Sequence, residues 1–289
     1  MMVNEANSQP KLIITATVAP SWLYPEAGNN PKTPEDAVEE ALGAWKAGAA
    51  VVHIHGSKNF AENEWKMIIK SIRDRSDVVI QAGLSALSIP ERMAVIKLRP
   101  DMISVILNHH DEAFPRTDMS LLHPRSELED YGRLCNKYGI KPEFEVWHSG
   151  SVWNLNYLVE KGLVDPPYFV TLFFDWPGGI WSPASAEELM HRLRNQRRDA
   201  ICSVSIMSNE QTRTAVMSIL LGHHVRVGTE DNPYYEPDRL AKNNAELVAR
   251  MVRIANEIGR PVANPEEARR IIGIKRDVGP LERVSTRIT

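Results

Sequence analysis

One regular alternation constrains this chain more than any other feature. Short apolar runs of strand length, rich in Val, Ile, Leu and Phe, take turns with longer amphipathic stretches along nearly its whole length. The apolar runs read as strands at 11–17, 50–55, 78–81, 102–107, 142–147, 168–174, 200–206 and 224–228. Such continuous apolarity is expected where both faces of a parallel sheet are covered. Two helix starts, Thr33-Pro34-Glu35-Asp36 and Ser88-Ile89-Pro90-Glu91, pair a capping residue with an early proline. Further helices are predicted over about 62–73, 120–138, 151–161, 186–194, 209–221 and 237–258, with a last one capped by Asn264. Roughly eight strand–helix units are what an α/β fold of the (β/α)8 TIM-barrel type requires.

At 289 residues the chain is long enough for one such barrel, and no Gly-, Pro- or Ser-rich linker divides it. A single domain over 1–289 is expected, with a polar N-terminal tail at 1–10 and a C-terminal arm at 274–289 suited to contacts between subunits. The net charge of -3 gives no reason to expect nucleic acid or an anionic membrane as partner. The first ten residues lack the apolar core of a secretory signal, and no apolar run is long enough to cross a bilayer. Cys135 and Cys202 are too few for a disulfide framework, so a reducing cytoplasm is expected, with both thiols as core filler.

In a barrel of this kind chemistry sits at the carboxyl ends of the strands. Two sequence segments end there in side chains able to do it. His53 and His55 share one face of the second strand, with Val52 and Ile54 on the other. Arg226, Gly228 and Glu230 share one face of the eighth. Two imidazoles and one carboxylate are a common ligand set for a catalytic zinc that keeps a position open. His223 and His224 fall at the start of their strand, on the side that serves stability.

Other residues leave two readings each. Arg226 points into the barrel, where a buried guanidinium needs a partner. It either forms a structural ion pair with an acid such as Glu145, or pairs Asp231 or grips a substrate carboxylate. Asp231 either caps the turn with Asn232-Pro233 or serves as a general base beside the metal. Glu143 and Glu145 share the inward face of the fifth strand, with Trp147 as a wall. They either orient a metal-binding histidine or bind a cationic substrate group. The loop 81–85 offers backbone N–H groups to an anion or simply turns the chain, and the loop 176–179 is of the same kind. Ser85, and Asn108 just past the fourth strand, join Glu143 and Glu145 as substrate-binding candidates. His148 and His109-His110 lie just past strand ends and read more simply as solvated loop residues.

These motifs are similar to those of the β-keto acid cleavage enzymes, whose founding activity is 3-keto-5-aminohexanoate cleavage. The resemblance is carried by the segment Gly222 to Asn232 (GHHVRVGTEDN), by Ala241 to Val248 (AKNNAELV), by Ile258 to Ala263 (IGRPVA) and by Lys141 to Val146 (KPEFEV). It extends from about Ile13 to Gly273. It implies a TIM barrel, a homo-oligomer with a tetramer among its forms, and a divalent zinc held by His53, His55 and Glu230. It implies an Arg226–Asp231 pair in which Asp231 removes a proton from the β-keto acid. It also implies acetyl-CoA as co-substrate, with acetoacetate and a new acyl-CoA released by Claisen and retro-Claisen steps. Two departures bear on the substrate and on thioester use. Gly56-Ser57-Lys58-Asn59 follows the HxH pair where the family commonly has a hydrophobic residue and Arg-Asp. Ala82-Gly83-Leu84-Ser85-Ala86 stands where the family has Thr-Gly-Gly, with Ser85 as the stand-in.

The principal rival is a metal-dependent hydrolase of the amidohydrolase type. That class places HxH on the first strand and needs a histidine after the sixth, whereas here HxH lies on the second and Phe173-Phe174-Asp175 ends the sixth. A non-enzymatic metal-dependent binding protein is opposed by Arg226, Glu230 and Asp231 together.

Overall fold

A computed structural model describes residues 10–21, 24–56, 62–84, 87–107, 109–111, 120–176 and 181–275, with the backbone alone at 109–111 and 120–121. Eight strands close into one parallel barrel: β1 (Ile14–Val18), β2 (Val51–Ile54), β3 (Val79–Ala82), β4 (Met102–Ile106), β5 (Lys141–Val146), β6 (Tyr168–Phe174), β7 (Ala200–Ile206) and β8 (His224–Gly228). Each is followed by its helix: α1 (Pro34–Lys46), α2 (Glu62–Arg75), α3 (Ile89–Lys97), α4 (Arg125–Tyr138), α5 (Ser151–Glu160), α6 (Ala186–Arg194), α7 (Gln211–Leu220) and α8 (Asn244–Glu257). The expected (β/α)8 TIM barrel is the observed architecture, and β1 closes it by pairing with both β2 and β8.

Strand alternation sorts the side chains. Ile14, Ala16, Val52, Ile54, Ile80, Val105, Phe144, Val170, Leu172 and Val204 face outward into the layer shared with the helices. Complete burial of each of the larger ones contributes roughly 1.5–3 kcal/mol. The inward residues form layers along the barrel axis. At the amino end, Ile13, Val51, Val79, Met102 and Phe169 make an apolar plug. A ninth helix, α9 (Pro265–Ile272), seals that plug with Ala268 and Ile272. Arg269 fastens the helix by donating to the carbonyls of Asp77 and Val78 at 2.6 and 3.3 Å. Above the plug lie buried Thr15, Thr17, His53, Gln81, Glu143, Thr171, Ser203, Ser205 and Arg226. At the carboxyl end, Ile106, Trp147, Phe173, Trp176 and Met207 form an apolar group.

His224 sits where its register places it, on the stability side. Its Nδ1 accepts from the backbone N–H of Ile13 at 3.0 Å, and its ring stacks on Phe169. Burial, with nearby Arg260 and His223, pushes its pKa down to about 3, so the ring is neutral. It bolts β8 to β1.

Two helix starts differ from the sequence expectation by five residues or more. The helix expected from about Pro237 starts at Asn244. Tyr234–Glu236 and Arg239–Leu240 instead form a small antiparallel pair. Asn243 is the true cap, its side chain accepting from Glu246 N. The helix expected from Ser120 starts at Arg125, because Pro124 holds extended backbone at the cap and Ser120–Leu122 pairs with His109–Asp111. Most of the C-terminal arm, 276–289, and the tail at 1–9 lie outside the described residues.

Candidate metal centre and acid–base pair

The turn after β8 is fastened on both sides. Thr229 N donates to Asn244 Oδ1 at 2.9 Å and its hydroxyl to the Ala19 carbonyl at 3.3 Å. Asn232 N donates back to the Gly228 carbonyl at 3.0 Å. Gly228 lets this turn approach β1, since a Cβ there would collide with the Thr17 backbone. Glu230 and Asp231 are thereby presented side by side at the carboxyl end of the barrel, both buried.

His53 and His55 meet Glu230 across the β1 strand that separates their own strand from β8. The two Nε2 atoms are 3.0 Å apart. His53 Nε2 lies 3.6 Å from Glu230 Oε2, and His55 Nε2 lies 3.4 Å from Glu230 Oε1. One donor atom from each of the three falls within 4.8 Å of the others, the arrangement a single cation requires. The donor chemistry fits a divalent cation. Burial, with Arg226 close by, holds the His53 pKa well below its ordinary value, so the ring is a neutral donor. Burial pushes the Glu230 carboxyl up, but the neighbouring His55 and Arg226 outweigh it and hold the group well below the carboxylate range. Glu230 Oε2 is buried without a hydrogen-bond partner, an orphan that a bound cation would satisfy.

Arg226 makes the partnership expected of it with Asp231, and none with Glu145 at ion-pair distance among the described contacts. Its Nε donates to Asp231 Oδ2 at 3.0 Å and its Nη2 to Asp231 Oδ1 at 2.9 Å, a bidentate pair. The same Nη2 reaches Glu230 Oε1 at 3.0 Å, linking the acid–base pair to the metal-ligand set. Burial lowers the Arg226 pKa, but Asp231 and Glu230 more than reverse this and keep the guanidinium charged. Burial raises the Asp231 pKa, Arg226 opposes, and Glu230 adds to the rise. Asp231 is therefore an oriented carboxylate with more proton affinity than an ordinary one. The alternative turn-capping role falls to Asn232, whose Oδ1 accepts from Tyr234 N at 3.2 Å.

Glu143 and Glu145 lie on the inward face of β5. Thr171 donates its hydroxyl to Glu143 Oε1, and Trp147 Nε1 donates to Glu145 Oε2 at 3.0 Å. Glu143 Oε2 is buried with no hydrogen-bond partner. Burial, then the charge of Glu143, pushes the Glu145 pKa up to about 7. Neither glutamate orients a metal-candidate histidine in a described contact. Gln81 takes that role, its Oε1 lying 2.8 Å from His53 Nδ1. Gly83, in the loop read from sequence as either an anion cradle or a simple turn, makes room for His55: a Cβ at this position would overlap the imidazole ring. Ser85, Asn108 and residues 177–180 of the loop after β6 lie outside the described residues.

The model of the beta-keto acid cleavage enzyme family matches residues 11–274. The chain belongs to that family. A relative named 3-keto-5-aminohexanoate cleavage enzyme, from Acetoanaerobium sticklandii, is 34% identical over 92% of this chain and 99% of its own length. A 3-oxoadipate:acetyl-CoA acetyltransferase from Cupriavidus necator is 27% identical over 92% and 96%. Among solved structures, the apo form of ObcA superposes with a TM-score of 0.70 at 17% identity, over 85% of this chain and 66% of that one. That likeness concerns the fold alone.

For a beta-keto acid cleavage enzyme, this site holds three side chains that sequence reasoning passed over. Gln81 supports His53. Ser205 donates to Asp231 Oδ2 at 2.9 Å. Phe173 lies under the Arg226 guanidinium, 5.0 Å from Cζ to ring centroid, and stacks on Trp147 at 4.2 Å. All three are inward residues of neighbouring strands, so alternation marks their direction but not their partners.

Proposed function

We propose that this chain is a zinc-dependent β-keto acid cleavage enzyme that condenses a β-keto acid with acetyl-CoA and releases acetoacetate and a new acyl-CoA. The observation that carries the reading is the convergence of His53, His55 and Glu230 beside the bidentate Arg226–Asp231 pair. The name of the Cupriavidus necator relative supports acetyl-CoA as co-substrate. His53, His55 and Glu230 would hold the metal, which would supply Lewis acidity for the negative charge that develops next to the proton-losing carbon.

The chain's own residues account for the proton. Asp231 accepts a proton from the methylene between keto group and carboxylate, while Arg226 and Ser205 keep its oxygens aimed. The carbanion bonds to the thioester carbon of acetyl-CoA, and the carbon–sulfur bond breaks to release the CoA thiolate. That thiolate adds to the original keto carbon, whose bond to the former methylene breaks. The electron pair of that bond stays on the former methylene carbon, which recovers the proton from Asp231, and acetoacetate and the acyl-CoA are left. Glu143, Glu145, Ser85 and Asn108 contact the substrate. The protein works in the cytoplasm, a reading supported by its two buried free thiols, and as the homo-oligomer that the family resemblance implies.

The test is incubation of zinc-loaded protein with a panel of β-keto acids, with and without acetyl-CoA. Formation of a new acyl-CoA together with acetoacetate is expected. CoA-independent hydrolysis of amides or lactones, with no acyl-CoA from any member, would overturn the reading in favour of a metallohydrolase.

A further inference from the structure

Arg192 of α6 is a buried cation, 1% exposed, with no part in the chemistry described above. Its guanidinium enters between the ends of two barrel strands. Nη2 donates to the carbonyl of Val146, the last residue of β5, and Nη1 to the carbonyl of Phe173 in β6. The described β5–β6 register ends at Val146 and Leu172. Arg192 therefore joins the strands just where their own pairing stops. Nη1 also reaches the Ser182 hydroxyl at 3.3 Å, and that hydroxyl donates to Glu188 Oε1 at 2.6 Å. The cation is thus held from α6 and from the segment leading into it.

The two carbonyls belong to the peptide groups that orient Trp147 and lie beside the Phe173 side chain. These are the two rings that stack at 4.2 Å with an interplanar angle of 14°. Trp147 is steadied from above by Trp176, edge-on at 4.9 Å, and by its bond to Glu145. Phe173 in turn lies beneath Arg226. A continuous set of contacts runs from Arg192 through the stacked pair to the guanidinium that aims Asp231.

We propose that Arg192 is a positioning residue for the reaction: by clamping the ends of β5 and β6 it sets the Trp147–Phe173 stack and, through Phe173, the orientation of Arg226 and Asp231. The proposal rests on Asp231 acting as the base, and it assigns Arg192 no contact with substrate. Misplacing a reacting group by about an ångström can cost on the order of a hundredfold in rate. Loss of the clamp should therefore lower kcat more than it raises KM.

The experiment compares Arg192→Lys and Arg192→Met with Leu189→Ala, a core truncation on the same helix that removes none of the hydrogen bonds to the Val146 and Phe173 carbonyls. Arg192→Met should lower kcat by about tenfold or more with KM for both substrates within about threefold, and Arg192→Lys should recover part of the loss. Both should weaken the near-ultraviolet circular dichroism of the packed indoles. Leu189→Ala should lose thermal stability with kcat within about twofold of wild type. An unchanged kcat in Arg192→Lys and Arg192→Met, or a loss in Leu189→Ala that matches theirs, would overturn the proposal. If the Arg192 variants do not fold, Phe173→Leu carries the test, since it cuts the same path and should show the same kcat loss; wild-type turnover there would overturn it. Wild-type protein that makes no acyl-CoA would count against the proposed function instead. The dichroism of the folded variants would then decide on the clamp, an unchanged spectrum overturning it.

Discussion

His53 Nδ1 lies 2.8 Å from Gln81 Oε1, a contact between residues at matched positions on adjacent strands. An acceptor at Nδ1 fixes the proton there and leaves the Nε2 lone pair directed at Glu230. Supporting contacts of this kind typically contribute 10–100-fold to metal affinity. Gln81→Leu should therefore weaken zinc binding by roughly 10–100-fold without removing it. Gln81→Glu, which keeps the acceptor, should bind nearly as well as wild type. Competition against a chromophoric chelator measures both, and equal affinities for Leu and Gln would show that the contact does not tune the metal.

The site separates metal retention from proton transfer. Asp231 makes its bonds to Arg226 and Ser205 and lies outside the set of three converging donors. Asp231→Asn should keep zinc and lose about 10²–10⁴-fold in kcat, the usual contribution of general-base catalysis. His53→Ala should lose both. Elemental analysis beside steady-state kinetics distinguishes them, and retained activity in Asp231→Asn would remove it as the base.

Alternation was enough to aim His53, His55, Arg226 and Glu230 at one end of the barrel, whereas spacing alone left Asp231, just past the strand, between a turn cap and a general base. Each lies on or just past a strand whose direction follows from its neighbours, and the strand order follows from the barrel. Gln81 and Ser205 were not legible. Their partners lie 28 and 26 positions away, and only the stagger between strands brings them level. The two misplaced helix starts have a local cause. Pro237 resembles a first-turn proline, yet the residues around it pair as short strands and the capping signal is Asn243 with Glu246. Glu143 and Glu145 illustrate a subtler limit. Sequence marks two inward carboxylates, but Thr171 and Trp147 satisfy one oxygen of each without any histidine.

The raised Glu145 pKa, about 7, has a consequence for stability. Its unfolded value is near 4.3. Between those values the folded state binds more protons than the unfolded one, so stability falls as pH rises through that window and levels off above about 7. Glu145→Gln removes the penalty. In chelator-treated protein, the variant should gain in melting temperature relative to wild type at pH 8, with little gain at pH 4.5 and at most roughly 4 kcal/mol in total. Paired thermal melts across this range would show the effect, and a difference that does not vary with pH would refute it.

Gly83 offers the sharpest contrast between two substitutions that look alike in sequence. Its N–H is tied to the Ile54 carbonyl at 2.9 Å, so the backbone cannot easily retreat. A methyl group at this position would overlap the His55 ring, whereas one at Gly28 meets nothing within 4 Å. The imidazole must therefore move for Gly83→Ala to fold, at a cost of about 1–3 kcal/mol from overpacking. That movement takes His55 Nε2, one of the overlapped atoms, out of its present place beside His53 and Glu230. Gly83→Ala should lose most of its zinc affinity while the fold persists, and Gly28→Ala should match wild type in both melting temperature and metal content. Full zinc occupancy in Gly83→Ala at equal affinity would mean that the ring tolerates displacement, and that its position opposite Glu230 is not what binds the cation.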